Sequence, residues 1–271
     1  MHRSSLHTCL VFLWLCLVTF AAADVVTPLQ DAGMIYDGKT SGIRYLSFLG
    51  DTENKLISTS FASLGRCPSL YKLGKPCVTF KLAREGQLDD MDHHPGATPR
   101  QRNFIGSPDL DDDDNTVSWN MMLKKASGQN GFFHLGQIIG DSGPSWTMSV
   151  FEREGGDIVA IVDATTSGDQ DNICDSMSLN SFMSAPMAIS VSLNRSTQSI
   201  YWTVTNLKNK KLMMSCNRDG KAGLGKNSSV QGGAYRRVME DGSTKPAVAM
   251  VGNFIVTRGH WGTLVNPRQQ E

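Results

Sequence analysis

Residues 131–140, GFFHLGQIIG, are apolar except for His134 and Gln137, and a glycine closes each end. Such a run, bounded by glycines, has the length of a buried strand. An imidazole or amide buried without a partner costs about 1–3 kcal/mol. His134 and Gln137 therefore need either a protein partner or a ligand. Two readings follow: the strand floors a binding cleft, or both side chains are satisfied inside the fold.

Outward from this stretch the same short period recurs. In Thr116 to Lys124, Val117, Trp119, Met121 and Leu123 alternate with Ser118, Asn120 and Met122, a strand pattern. Ser145 to Phe151 and Asp157 to Asp163 follow, separated by Ser142-Gly143-Pro144 and Gly155-Gly156, a hairpin rhythm. Upstream, Ile43 to Leu49, Leu56 to Ala62 and Cys77 to Leu82 read as strands. Downstream, the strands are Met187 to Leu193, Ser199 to Thr205, Lys211 to Cys216, Gly232 to Val238 and Ala247 to Thr257. Ala83 to Asp114, with Pro95, Pro99 and Pro108, reads as irregular, and Thr165 to Asn180 as a polar loop holding Cys174. Roughly a dozen short strands without a convincing amphipathic helix argue for a β-sandwich, jelly roll or barrel.

The N-terminus bears on compartment. His2 and Arg3 precede the apolar run Cys9 to Phe20, and Ala21 to Ala23 supply small residues before Asp24. This is the three-part pattern of a cleaved secretory signal, and the run is short for a membrane span. Residues 1–23 are read as the signal and 24–271 as one secreted domain. The chain has 26 basic and 26 acidic residues, so neither nucleic acid nor a membrane surface is an expected partner. Outside the signal, Cys67, Cys77, Cys174 and Cys216 form an even set in an oxidising compartment, which predicts two disulfides. Three pairings are open. The short loop CPSLYKLGKPC favours Cys67–Cys77, leaving Cys174–Cys216. Asn194-Arg-Ser196 and Asn227-Ser-Ser229 are glycosylation acceptors.

Common catalytic signatures are missing: no G-x-S-x-G elbow, P-loop, HExxH or dinucleotide glycine pattern. Asp109, Asp111 and Asp113 alternate as in a calcium loop, but Asp114 stands where that motif needs Gly and Asn120 where it needs Glu. The stretch reads as a solvated acidic loop. A structural calcium ion is left open there, and no other cofactor or metal is expected. Glu152, Glu154 and Asp157 look like an exposed hairpin turn, not the paired carboxylates of a glycosidase. What remains is a polar set without carboxylates: Arg100, Arg102, His134, Gln137, Tyr235 and Arg237. In GGAYRR (232–237), Gly233, Tyr235 and Arg237 share one face of a strand. Cationic neighbours make a phenol easier to ionise, so Tyr235 could exchange a proton with a substrate. The alternative is a sheet-edge tyrosine with Arg236 and Arg237 solvated.

Three segments, in this order, resemble the characteristic strands of the jelly-roll polysaccharide lyases. Arg100-Gln101-Arg102 resembles their arginine strand, FFHLGQI the strand bearing the glutamine, and GGAYRRV the C-terminal tyrosine strand. The likeness spreads over residues 77–258 and is nearest to polysaccharide lyase family 20, the glucuronan lyases, with alginate lyases more distant. It implies an all-β fold, a β-jelly roll or concanavalin A-like sandwich of two antiparallel sheets. It further implies a monomeric enzyme that cleaves an acidic, uronate-containing polysaccharide by β-elimination. Gln137 and Arg102 would neutralise the substrate carboxylate, Tyr235 would shuttle the proton, and His134 would be a second base or orient the sugar. Arg100, Arg237, Trp119 and Trp146 would contact the substrate. The arginine strand of these lyases usually continues to a glutamate, whereas Asn103 and Phe104 follow Arg102 here, and Ile139 stands where alginate lyases have histidine. His134 and Gln137, three apart, point to opposite faces of a regular strand unless a bulge intervenes at Gly136. The rival from another class is a lectin-like sandwich that holds a glycan through Trp119, Trp146 or Trp202.

Overall fold

The alternation in the sequence becomes two stacked sheets. The structure, a computed structural model, describes residues 44–48, 62–64, 67–74, 77–82, 100–107, 109–110, 113–126, 132–164, 172–220, 222–237, 247–259 and 261. The first strands in chain order are β1 (Arg44–Phe48), β2 (Ala62–Leu64), β3 (Cys77–Leu82), β4 (Arg100–Gly106) and β5 (Asp114–Lys125). Next come β6 (Phe133–Gly140), β7 (Gly143–Phe151), β8 (Ile158–Asp163) and β9 (Ile173–Ser178). The short helix α1 (Leu179–Met183) leads into β10 (Met187–Asn194), β11 (Ser199–Asn206), β12 (Leu212–Arg218), β13 (Ser229–Arg237) and β14 (Ala247–Arg258).

One seven-stranded sheet runs β1-β4-β13-β6-β7-β8-β9, the other β12-β11-β10-β5-β14-β3-β2. The paired strands are antiparallel throughout. The chain changes sheet between β1 and β2, β3 and β4, β4 and β5, β5 and β6, β9 and β10, β12 and β13, and β13 and β14. This is the jelly-roll sandwich expected of the sequence. Two expectations need correction. Arg100 to Gly106, placed in an irregular region, is a strand. The second half of the supposed loop 165–180 is β9 followed by α1.

The core lies between the sheets. Trp119 on β5 sits at its centre, stacked on Phe254 with ring centroids 5.9 Å apart and edge-on to Trp202 at 6.4 Å. Opposite, Gly136 and Gly232 are cross-strand partners on β6 and β13. A Cβ at Gly136 would stand 2.9 Å from the Trp119 ring, and one at Gly232 2.7 Å. The two glycines thus form the hollow that receives the indole. Trp119, Trp146 and Trp202 are each at most 1% exposed, and Trp146 Nε1 donates to the Ala222 carbonyl at 3.0 Å. Trp119 and Trp146 are therefore core residues and not the substrate contacts anticipated for them; the aromatic platform of the lectin reading goes with them.

Both expected disulfides form, Cys67–Cys77 and Cys174–Cys216. The second ties β9, the edge of the first sheet, to β12, the facing edge of the second, where the Asp175 carboxylate also accepts from Ser215 N at 2.7 Å. The first closes a loop whose Leu73 packs on Met122 and Met250 on the outer face of the second sheet. Among the described residues no helix is long and apolar enough to cross a membrane.

Several polar side chains lock loops. Asp113 and Asp114 of the acidic run accept from Ser196 Oγ and Asn194 Nδ2 at 2.5 and 2.6 Å, so the anticipated acceptor Asn194 is half-buried with its amide engaged, while Asn227 is exposed. Among the described residues no group of three or more His, Cys, Asp or Glu could hold a metal ion; Asp111 lies outside them.

Asp141, in the β6–β7 turn, accepts from the backbone N–H of Lys226 and Asn227 at 2.9 and 3.1 Å. Those two hydrogen bonds, helped by the Lys226 and Arg195 charges, hold its carboxyl below the usual value. A carboxylate with a depressed folded pKa stabilises the fold above its unfolded pKa and loses that contribution as pH falls through the folded one. Asp141→Asn is therefore expected to be less stable than the wild type at neutral pH. Urea titrations at stepped pH should show the difference shrinking below about pH 4.

Candidate active site

The strands β4, β13, β6 and β7 lie side by side, and their residues turned away from the core share one face of the sheet. Two rows cross it. In the first, Arg102 of β4 faces Tyr235 of β13, Tyr235 faces His134 of β6, and His134 faces Ser149 of β7. In the second, Gly106, Gln231, Gln137 and Thr147 occupy the corresponding positions. His134 and Gln137 thus share a face despite their odd spacing, and the cause is a bulge. The register shifts between His134 and Gly136 against β7, and between Gly232 and Tyr235 against β13. Leu135 is fully buried in the core, and the Cβ position of Gly136 also points to the core tryptophans. Two consecutive residues facing inward return His134 to the outer face. The packing of Trp119 into the glycine hollow and the geometry of the site are thus one feature.

The site is largely dry. Tyr235 is 5% exposed, His134 8% and Gln137 2%, although all three lie on the outer side of the sheet. Phe132 stacks on the His134 imidazole at 4.7 Å and meets Tyr235 edge-on at 4.9 Å; His134 and Tyr235 are 5.4 Å apart. Phe104, opposite Gly233, closes the other side of the phenol at 5.5 Å.

The polar contacts are specific. His134 Nδ1 is 2.6 Å from Ser149 Oγ, and Ser149 Oγ donates to Thr147 Oγ1 at 2.9 Å. Gln137 Nε2 donates to Gln231 Oε1 at 2.6 Å, which leaves the buried Gln137 Oε1 without a partner. An unpaired buried carbonyl of this kind costs about 1–3 kcal/mol. Turning both amides over keeps the bond with Gln231 as donor, satisfies Gln137 Oε1, and frees the Gln137 NH₂ for another acceptor. That polarity is the one a carboxylate requires.

The strand positions on this face carry no Asp or Glu among the described residues. Arg100 and Arg237 stand directly opposite one another in the ladder, beside the Arg102–Tyr235 pair. Arg236, expected to be solvated on the bland reading, is instead fully buried, and burial pushes its pKa down to about 10, which leaves it charged at neutral pH. Of the residues anticipated for the site, the structure brings together Tyr235, His134 and Gln137, with Arg102 in register. Ile139 pairs with Ser229 and Pro144 at the far end of β6, away from the pair His134–Tyr235. Sequence reasoning missed Gln231, Phe132, Ser149 and Thr147. Ser149 and Thr147 were legible: in SWTMSV they alternate with Trp146, Met148 and Val150, which the structure buries in the core.

No family model matches the chain, and no curated protein matches it. Among solved structures it is similar to the alginate lyase AlgAT5 of polysaccharide lyase family 7, with a TM-score of 0.53 at 10% identity over 79% of this chain and 93% of that one. It is equally similar to the catalytic domain of a GH131 β-glucanase from Podospora anserina, with a TM-score of 0.54 at 8% identity over 81% of this chain and 86% of that one. At these identities the likeness shows the fold. The two neighbours are a lyase and a glucanase by name, so the fold does not choose the chemistry and the site must.

Proposed function

We propose that the protein is a secreted polysaccharide lyase that cleaves a uronate-containing glycan, glucuronan-like or alginate-like, by β-elimination. The observation that supports this reading is that Tyr235, His134 and Gln137 share one buried sheet face whose ladder positions hold no carboxylate among the described residues. A retaining or inverting glycosidase works with two carboxylates flanking the bond, and Glu152, Glu154 and Asp157 lie in or beside the β7–β8 turn, away from this face. An anionic sugar suits the register better, because Arg100 and Arg237 are direct ladder partners and like charges directly opposed are destabilising without a counter-charge.

The C5 proton of a uronate becomes labile when the carboxylate charge is neutralised. Gln137, with Gln231 holding its amide, and Arg102 supply hydrogen bonds to the carboxylate, which strengthen as the enolate develops. His134 takes the C5 proton, the electron pair left behind forms the C4–C5 double bond, and the C4–O4 bond breaks. Tyr235 gives its proton to the departing O4 and recovers one from water or from His134. The secretory signal and the two disulfides support an extracellular site of action.

The test is direct. The purified protein is incubated with glucuronan, polymannuronate and polyguluronate, and the ultraviolet absorbance of unsaturated uronate ends is followed. Growth of that absorbance on at least one polymer is the expected result. Glycan binding without unsaturated ends on any uronan would sink the lyase reading in favour of a lectin.

A further inference from the structure

Ser149 Oγ has a single proton, and that proton is directed to Thr147 Oγ1. Ser149 can then only accept from His134 Nδ1 across their 2.6 Å contact. A neutral imidazole that carries its hydrogen on Nδ1 has its lone pair on Nε2. Water does not blur the arrangement: Ser149 is 0% and Thr147 3% exposed. The pair is aligned by the bulge, since Thr147 and Ser149, two apart on β7, face Gln137 and His134, three apart on β6.

We propose that Ser149 and Thr147 are positioning residues that hold His134 in the Nδ1–H tautomer, so that Nε2 is the base presented to the substrate. This rests on the lyase reading for its consequence and on the hydrogen-bond chain for its cause. The groups that face the ring from the neighbouring strands are consistent with it. Tyr235 of β13 meets it edge-on, Phe132 stacks on it, and Arg102 of β4 lies one register position beyond Tyr235. On β8, Ala160 faces Ser149. None of these ladder positions supplies a carboxylate among the described residues.

The chain makes a discriminating variant available. Thr147→Val keeps the shape and the strand preference but removes the acceptor of the Ser149 proton. Ser149 can then turn that proton toward Nδ1, which favours the Nε2–H form and takes away the base. Nitrogen-15 NMR of the His134 imidazole reads the tautomer with no substrate present. The wild type is expected to show Nδ1–H alone, and Thr147→Val a substantial Nε2–H population. On a uronan that the wild type cleaves, the variant's kcat should fall about tenfold at unchanged KM, short of the ~10²–10⁴-fold expected for losing the base itself. Thr147→Ser, which retains the acceptor, should restore both the spectrum and the rate. Ser149→Ala should shift the spectrum the same way as Thr147→Val.

An Nε2–H histidine in the wild type, or a Thr147→Val spectrum identical to the wild type, overturns the proposal. If no uronan is cleaved, the lyase reading fails, and the nitrogen spectra still decide whether the two hydroxyls set the tautomer.

Discussion

Replacing Tyr235 by Phe is expected to lower kcat for uronan cleavage by about 10²–10⁴-fold, while KM and thermal stability stay close to those of the wild type. The substitution removes one oxygen and keeps the ring. Phe104, Phe132 and His134 contact the ring at centroid distances of 5.5, 4.9 and 5.4 Å, and aromatic pairs of this kind each contribute about 0.5–1.5 kcal/mol beyond area burial. A phenyl group at 235 keeps these ring contacts. On the proposed mechanism, what disappears is the acid that protonates the leaving oxygen, which must then depart as an alkoxide in a dry site. The measurement is initial velocity of unsaturated-end formation over a range of substrate concentration, alongside a thermal melt. A variant that kept the wild-type kcat would remove Tyr235 from proton transfer and leave it a packing residue of this face.

Which parts of this architecture can be read from sequence depends on how local their causes are. The alternation in Thr116 to Lys124 and in SWTMSV is set by nearest neighbours along the chain, and both segments are strands with the faces their patterns imply. Trp119, Trp146 and Trp202 sit in register with Val117, Met148 and Ile200, so the pattern already assigned them to the apolar face. Reading two of them as glycan contacts weighed residue type above parity. Arg100 to Gly106 was obscured by Pro95, Pro99 and Pro108 around it, although its own residues contain no strand breaker before Gly106. β9 is a sheet edge whose residues are mostly half-exposed or exposed, and an edge strand shows little apolar contrast. The shared face of His134 and Gln137 could not come from parity at all. It requires a bulge, and the bulge accompanies an indole from a strand in the opposite sheet. The motif resemblance singled out Tyr235, His134 and Gln137, and the long-range packing explains why they share a face.

That packing yields the second large effect. Trp119→Ala is expected to destabilise the fold by about 3–5 kcal/mol, the range for truncating a large buried aromatic. The ring is 1% exposed, stacks on Phe254, meets Trp202 edge-on and fills the hollow over Gly136 and Gly232. Its Nε1 is buried without a partner, a cost that the packing must outweigh, so the indole is held there by shape. Neighbouring side chains cannot fill the space from the sheet opposite, because both residues beneath the ring are glycines. Equilibrium unfolding in urea checks the figure through the midpoint at unchanged slope. Activity measured well below the unfolding midpoint separates the two roles this residue could have had. Removing a tryptophan that only stacked on the glycan would raise KM and spare stability. Truncating a core residue beneath the bulge lowers stability first, and kcat falls with it, because the face shared by His134 and Gln137 depends on the bulge at Gly136, which lies against that ring. A tryptophan that could be removed without loss of stability would break the link between the glycine hollow, the bulge and the site.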